Sequence, residues 1–135
     1  MSNFKAGFAR LDITPPLGVN ISGYFSQRVA DGILDNLYAS AVAVSDGTNT
    51  AVALSLDIIG ISKGKMDAYR KSIAEKNSIP YEAVFIACTH THTGPVMDTG
   101  LFSEDLAYNA YLERKLTDVT TLAIADLKPA DVSIG

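Results

Sequence analysis

Cysteine and histidine are scarce in this sequence of 135 residues. Cys88 is the only cysteine, so an internal disulfide framework is excluded and a reducing compartment is favoured. His90 and His92 are the only histidines, so any histidine-based site in the chain must be built in this one short stretch.

Several other features are missing, and each absence excludes a class of protein. No apolar run approaches the roughly 18 residues of a membrane span, and residues 1–10 lack the apolar run of a signal peptide, which favours the cytoplasm. The net charge of −4, without a basic cluster, argues against nucleic-acid binding. A hydrophobic content of 47% supplies a core, and the length is typical of one domain.

The first half of the chain predicts three strands and one long loop. Gly7–Ile13 is the first strand, and Pro15–Asn36 is irregular for so long that we expect a functional loop. Leu37–Val44 and Thr50–Ile59 flank Ser45–Asn49, whose Asp-Gly step predicts a β-hairpin. Their runs of small apolar residues predict strands that are buried on both faces.

The second half alternates helices and strands. Ser62 predicts the N-cap of a helix that continues to about Lys76, and Ala83–Cys88 is a central strand. Ser103 is expected to cap a second helix that ends before Pro129. One face of this helix is apolar: Leu112, Leu116, Val119 and Ala123.

A last strand, Asp131–Ile134, completes the order β, long loop, β-hairpin, α, β, α, β. This order predicts an α/β fold in which a mixed sheet with a β-hairpin carries helices packed against it. Because the chain stops inside an element, we expect residues 1–135 to be a truncated part of a larger catalytic domain.

The chemistry is concentrated in the segment Thr89–Pro95, directly after the central strand. In an extended backbone His90 and His92 point to the same side, roughly 6.5–7 Å apart along the strand. This spacing lets one or both imidazoles meet a common metal at the carboxyl end of a sheet strand. The threonines that alternate with them offer hydroxyls to orient the rings.

A catalytic zinc needs three protein ligands, and the chain has no third histidine. Asp57 is the best additional candidate, either as a ligand or as a residue that orients one, because a carboxylate after an apolar strand needs a partner. It could equally cap the end of that strand or the helix that follows. Cys88 is expected to be a buried, inert thiol, and Asp98 a solvated loop residue.

The ordered set of motifs resembles the N-terminal part of the catalytic domain of neutral/alkaline, non-lysosomal ceramidases. The resemblance extends over the whole chain. It rests on Ala9–Pro15 (ARLDITP), Gly23-Tyr24, Asp35–Ala41 (DNLYASA), Ser55–Asp57 (SLD) and Thr89–Pro95 (THTHTGP).

The resemblance implies a zinc-dependent hydrolase that cleaves the N-acyl amide bond of ceramide-like lipids into a sphingoid base and a fatty acid. His90 would be a zinc ligand, and His92 would lie beside the Zn²⁺ and contact substrate or the water on the metal. The other ligands would lie beyond residue 135. A lipid substrate implies contact with a membrane surface or micelle, and relatives are often secreted or periplasmic.

Two alternatives stay open. One is a different metallohydrolase with an HxH zinc motif, such as the metallo-β-lactamase fold, although Thr93-Gly94-Pro95 replaces the Asp-His that continues that motif. The other is a structural fragment without a complete site. The long loop Pro15–Asn36, with Tyr24 and Phe25, is a candidate wall for substrate entry.

Overall fold

A computed structural model describes residues 3–98 and 100–133 as one five-stranded sheet with two helices. The strand order is β4-β3-β2-β1-β5. The elements are β1 (Lys5–Asp12), β2 (Tyr38–Ser45), β3 (Thr50–Leu56), α1 (Lys63–Asn77), a 3₁₀ turn (Tyr81–Ala83), β4 (Val84–Cys88), α2 (Leu106–Ala125) and β5 (Lys128–Pro129).

The sheet is mixed, which confirms the predicted α/β class and the predicted β-hairpin. β1, β2 and β3 pair antiparallel in sequence order, and β4 pairs parallel to β3 after the crossover through α1. The hairpin turn between β2 and β3 is stabilised by Asp46, whose carboxylate accepts hydrogen bonds from the backbone N–H groups of Thr48 and Asn49.

Both helices begin at side-chain caps. The predicted cap of α1 is confirmed: Ser62 Oγ accepts from the Lys65 backbone N–H, and the helix ends at Ser78 in the left-handed region (φ 54°). The cap of α2 is Asp105, which accepts from the Tyr108 N–H at 2.8 Å, so the prediction of Ser103 was wrong. A carboxylate at this position also complements the positive end of the helix dipole.

The end of the chain differs from the sequence prediction. The helix α2 ends at Ala125, and Pro129 belongs to the short β5, which pairs antiparallel with Lys5 and Ala6 of β1. Residues 131–133 form no strand, and Ile134 lies outside the described residues. The predicted strand Asp131–Ile134 was therefore wrong over the part that the structure describes.

Both helices cover the same face of the sheet. The predicted apolar face of α2 is confirmed, since Leu112, Leu116, Val119 and Ala123 are fully buried. The small alanines of β2 on this face let α2 approach closely. The helix also comes very close to Gly7, where an added Cβ would lie 2.1 Å from the carbonyl oxygen of Ala123.

The opposite face of the sheet carries no helix in the described chain. A row of apolar residues crosses it, with Phe8 opposite Val42, Val42 opposite Ala53, and Ala53 opposite Phe85. Phe8 is 60% exposed and Phe85 is 65% exposed. The expectation of strands buried on both faces was therefore wrong here, because the two helices leave alternate side chains of every strand uncovered.

The loops that matter for function leave the sheet at one edge. Asp12 at the end of β1 is opposite Tyr38, and Leu56 at the end of β3 is next to Cys88 at the end of β4. The segments 13–37, 57–62 and 89–105 therefore all begin or end here, and we call this the loop edge. Within residues 3–98 and 100–133, neither helix combines the length and the apolar character needed to cross a bilayer.

Candidate functional site

The two histidines lie at the loop edge, just after β4. The Thr89 N–H donates to the Leu56 carbonyl (2.9 Å) and the His90 N–H donates to the Ile58 carbonyl (3.1 Å). His90 itself adopts the left-handed conformation, with φ 65°. The extended backbone expected through His92 was therefore wrong. The two rings nevertheless converge, with centroids 5.0 Å apart and an edge-to-face angle of 71°.

The proton position on His90 follows from its hydrogen bond. His90 Nδ1 lies 2.7 Å from the carbonyl oxygen of Ile59. A carbonyl only accepts, so Nδ1 carries the proton, and in the neutral ring Nε2 keeps its lone pair. The side chain is exposed. A backbone carbonyl on one ring nitrogen, with the other nitrogen free, is the usual arrangement of a metal-binding histidine.

The His92 ring lies against Gly23 of the long loop. Gly23 has φ 92°, and an added Cβ would lie 2.5 Å from His92 Cγ. Only a glycine therefore fits at this position with the imidazole where it is. The contact brings together two residues that the sequence places 69 positions apart (92 minus 23).

The long loop is bound to the histidine segment through Ser22. Its backbone N–H and its Oγ both donate to the Gly94 carbonyl, at 3.0 and 3.2 Å, and Ser22 is only 3% exposed. The Val96 N–H donates to the Asn20 carbonyl at 2.8 Å. The predicted long loop is thus present and tied to the site. The sequence gives no periodic signal for Ser22, so its role was missed.

Asp57 is half-buried at the start of the 57–62 segment. Its Oδ2 accepts the Tyr38 N–H at 3.0 Å, and its own N–H donates to the Tyr38 carbonyl at 3.0 Å. It therefore caps the beginning of β2, which is the strand-end role that the sequence left open. Among the hydrogen bonds of the described residues, none joins Asp57 to either histidine.

The other candidate side chains have local partners. Thr91 Oγ1 lies 3.3 Å from Thr93 Oγ1, and Asp98 accepts the Ser62 N–H at the start of α1. Burial raises the pKa of the Cys88 thiol, which keeps it protonated and unreactive. The two histidines therefore remain the chemically available groups of this segment.

No protein-family model matches the sequence, and no curated protein does. Solved structures match it in fold. One is neutral ceramidase from Pseudomonas aeruginosa, with a TM-score of 0.77, 21% identity, and coverage of 93% of this chain and 22% of that chain. Another is a ceramidase complexed with C2, with a TM-score of 0.76 and the same identity and coverage. The chain has the fold of part of a neutral ceramidase.

This result confirms the ceramidase resemblance at the level of the fold. The chain spans only 22% of the length of the ceramidase structures, so the greater part of their fold has no counterpart in these 135 residues. Identity of 21% supports a shared architecture and leaves the chemistry to be argued from the residues themselves.

The donor atoms present fit zinc in type but not in number. Imidazole nitrogen is a preferred zinc donor. Within residues 3–98 and 100–133, no group of three His, Cys, Asp or Glu side chains is arranged to hold a metal ion. A complete zinc site of this ceramidase-like fold would therefore need donors in addition to the described residues.

An open cleft of about 720 Å³ also lies at the loop edge. Its walls come from the end of β1, the long loop and α2, and they include Thr14, Ile33 and Tyr111. Tyr108 joins these elements by donating to the Ile13 carbonyl at 2.6 Å. Neither histidine lines this cleft, so the cleft and the histidine pair are separate features of the loop edge.

Proposed function

We propose that this protein is a zinc-dependent hydrolase of the N-acyl amide bond of ceramide-like lipids, and that this chain carries part of its site. One observation carries the proposal: His90 has Nδ1 bound to a backbone carbonyl and, among the described residues, no hydrogen-bond partner for Nε2, beside His92, on a fold shared with neutral ceramidases. The proposed products are a sphingoid base and a fatty acid.

His90 is the proposed zinc ligand, through Nε2. Because a catalytic zinc takes three protein ligands and the described residues hold no group of three suitable side chains, at least one further ligand comes from other polypeptide. Asp57 stays a weaker candidate, because one carboxylate oxygen already serves Tyr38. When bound, Zn²⁺ would polarise the amide carbonyl and make water nucleophilic at neutral pH.

His92 is the proposed catalytic residue. Its ring is exposed, packs edge-to-face with the His90 ring at a centroid distance of 5.0 Å and contacts Gly23. From this position the imidazole would accept a proton or donate a hydrogen bond to an oxygen of the reacting amide. Among the hydrogen bonds of the described residues, only His90 has one at a ring nitrogen, and His92 has none. Both ring nitrogens of His92 are therefore available.

The proposed substrate also requires contact with a lipid surface. Phe25 is 98% exposed and Leu34 is fully exposed, and both belong to the long loop at the loop edge. Apolar side chains at loop tips bury their surface when they enter the boundary of a bilayer or micelle. We therefore propose that the long loop meets the membrane or micelle from which the lipid is taken.

Separate removal of the two imidazoles tests the proposal. In the full-length protein, His90→Ala should lose both zinc and hydrolysis of N-acyl sphingosine. His92→Ala should retain most of the zinc while its activity falls by about 10² or more. Zinc is measured by mass spectrometry of the purified protein, and hydrolysis by fatty-acid release.

Thr89→Ala is the matched control, since Thr89 is exposed and, among the hydrogen bonds of the described residues, its hydroxyl does not bind either imidazole. It should keep both zinc and activity. Equal zinc loss in the two histidine variants would show that their roles are wrongly assigned. A full-length protein that binds zinc and cleaves no N-acyl amide would contradict the proposed function. Tight zinc binding by residues 1–135 alone would contradict the incomplete site.

A further inference from the structure

The contact between Gly23 and His92 is closer than any side chain at position 23 would allow. An added Cβ would lie 2.5 Å from His92 Cγ and 2.7 Å from both its Cβ and its Nδ1. These atoms are at the base of the side chain, so a small shift of the ring tip would not relieve the overlap. Rotation about χ1 would move Cγ and Nδ1 but not Cβ, so the loop would also have to shift.

We propose that Gly23 is a positioning residue for His92: it lets the long loop close on the imidazole and hold the ring beside His90. The catalytic consequence of this proposal rests on the proposed function above. The geometric part does not, because the arrangement of the two rings can be measured without any substrate.

The loop around Gly23 is braced, so it can act as a fixed support. Its two halves are joined by backbone hydrogen bonds: the Gly18 N–H donates to the Ala30 carbonyl (2.8 Å), and the Ile21 N–H donates to the Arg28 carbonyl (2.8 Å). Ser22, the residue before Gly23, is buried and donates twice to Gly94. Moving Gly23 away from His92 would therefore break hydrogen bonds of a buried residue, which is costly.

The support matters because His92 is otherwise exposed. A free surface imidazole samples several rotamers, whereas a catalytic group needs one orientation toward the reacting atoms. Gly23 blocks the rotamers on one side of the ring, and His90 meets the ring from another side at 5.0 Å. Both contacts restrict the orientations that are open to the otherwise exposed imidazole.

Gly18 provides a matched control in the same loop. Its φ of 91° equals that of Gly23 within a degree, so an alanine suffers the same backbone strain at either position. An added Cβ at Gly18 meets no heavy atom within 4 Å. Gly18→Ala therefore controls for the strain of a positive φ, and an additional effect of Gly23→Ala reports the crowding against His92.

Nuclear magnetic resonance of ¹⁵N-labelled histidine tests the geometry in the purified protein. In Gly23→Ala the His92 ring signals should shift and the ring-to-ring contact with His90 should disappear, while the Nδ1 proton of His90 stays. For hydrolysis of N-acyl sphingosine, kcat should fall by about tenfold or more with little change in KM. Gly18→Ala should retain the wild-type ring signals and kcat.

Unchanged His92 signals in Gly23→Ala, or equal changes in Gly18→Ala, would overturn the proposal. A wild-type protein without amide hydrolysis would instead count against the proposed function, and the ring measurement would still decide the role of Gly23. The two failures are thus distinguishable.

A second measurement covers the case in which Gly23→Ala unfolds. In a His92→Ala background two of the three overlapping atoms, Cγ and Nδ1, are gone. Gly23→Ala should therefore cost less stability in that background than in the wild type, as measured by urea unfolding, whereas Gly18→Ala should cost the same in both. Equal costs of Gly23→Ala in the two backgrounds would contradict the positioning role.

Discussion

His90 combines an unfavourable backbone conformation with a well-satisfied side chain. A left-handed φ of 65° costs a non-glycine residue roughly 1–2 kcal/mol. The structure holds it there with the bonds of its N–H to Ile58 and of its Nδ1 to Ile59. Such strain persists where surrounding contacts determine it, and it is concentrated at functional sites. The conformation therefore adds to the case for His90 drawn from its free Nε2.

The motif Thr89–Pro95 predicted that two imidazoles would meet at a strand end, and the structure brings them together. The path of the backbone between them was not predictable. Residue type does not specify a left-handed histidine, and the contacts that hold it come from Ile58 and Ile59, some 30 positions earlier. The capping of a strand by Asp57, by contrast, was one of the roles that the sequence left open for this residue.

Asp46 makes the stability of the hairpin turn dependent on pH. Hydrogen bonds from the backbone N–H groups of Asn49 and then Thr48 lower the pKa of its carboxyl to about 2, below the ordinary 3.8. The folded state thus binds this proton less tightly than the unfolded state. The stability that Asp46 contributes is present above about pH 4 and is lost as pH falls through about 2.

Asp46→Asn keeps an acceptor oxygen in the turn and removes the charge. We expect this variant to unfold at lower urea than the wild type at about pH 6, and the difference to shrink toward about pH 2. Urea midpoints measured across this range check the prediction. A difference that stays constant over the whole range would show that the charge of Asp46 does not stabilise the turn.

At the scale of elements, the attachment of α2 to the sheet rests on its buried face. Leu116 is fully buried there, whereas Leu122 of the same helix is 49% exposed. Leu116→Ala should lower the free energy of unfolding by about 2–5 kcal/mol, because it removes buried methyl groups and leaves a cavity. Urea unfolding measures the change.

Leu122→Ala is the control, since it makes the same substitution in the same helix and therefore shares any change in helix propensity. It should alter the free energy of unfolding by no more than about 0.5 kcal/mol. Similar losses in both variants would mean that α2 is not anchored through the face identified here.

Elements were predictable where their signals are local. The Asp46-Gly47 turn and the Ser62 cap are specified within four residues, and both were placed correctly. The cap of α2 was misplaced because Ser103 and Asp105 are both good capping residues, and tertiary packing decides between them. The short β5 has only two residues, which is too few to show alternation, and its partner β1 lies more than 100 residues away.

At the scale of the whole molecule, the long loop and the bare sheet face offer two separate apolar surfaces. We expect the loop to meet lipid. Phe25→Ser combined with Leu34→Ser should weaken binding to phosphatidylcholine vesicles containing N-acyl sphingosine by about tenfold, because the apolar area that enters the bilayer is lost. Sedimentation of the protein with the vesicles measures this.

Phe8→Ser combined with Phe85→Ser removes apolar area of a similar kind from the sheet face, away from the loop edge. This control should change vesicle binding by less than about threefold. A larger loss in the control than in the loop variant would place the lipid contact on the sheet face. Absence of binding by the wild type would contradict lipid contact altogether.

The sheet face also shows what strand sequences cannot reveal. The alanine and valine runs of β2 and β3 fit burial on two faces, yet Val42 and Ala53 are exposed. A strand's composition indicates how much apolar surface it has. Which element covers that surface depends on where the helices lie, and here both lie on one side.

The position of α2 over β1 has a consequence for synthesis. Phe8 of β1 and Asp126, which follows the last residue of α2, are 118 residues apart, so β1 leaves the ribosome long before the helix that covers it is complete. At 5–20 residues per second this interval lasts on the order of 6 to 24 seconds. During this interval the inner side of β1 is exposed to other nascent chains. The helix α2 can cover it only after translation has reached the end of α2.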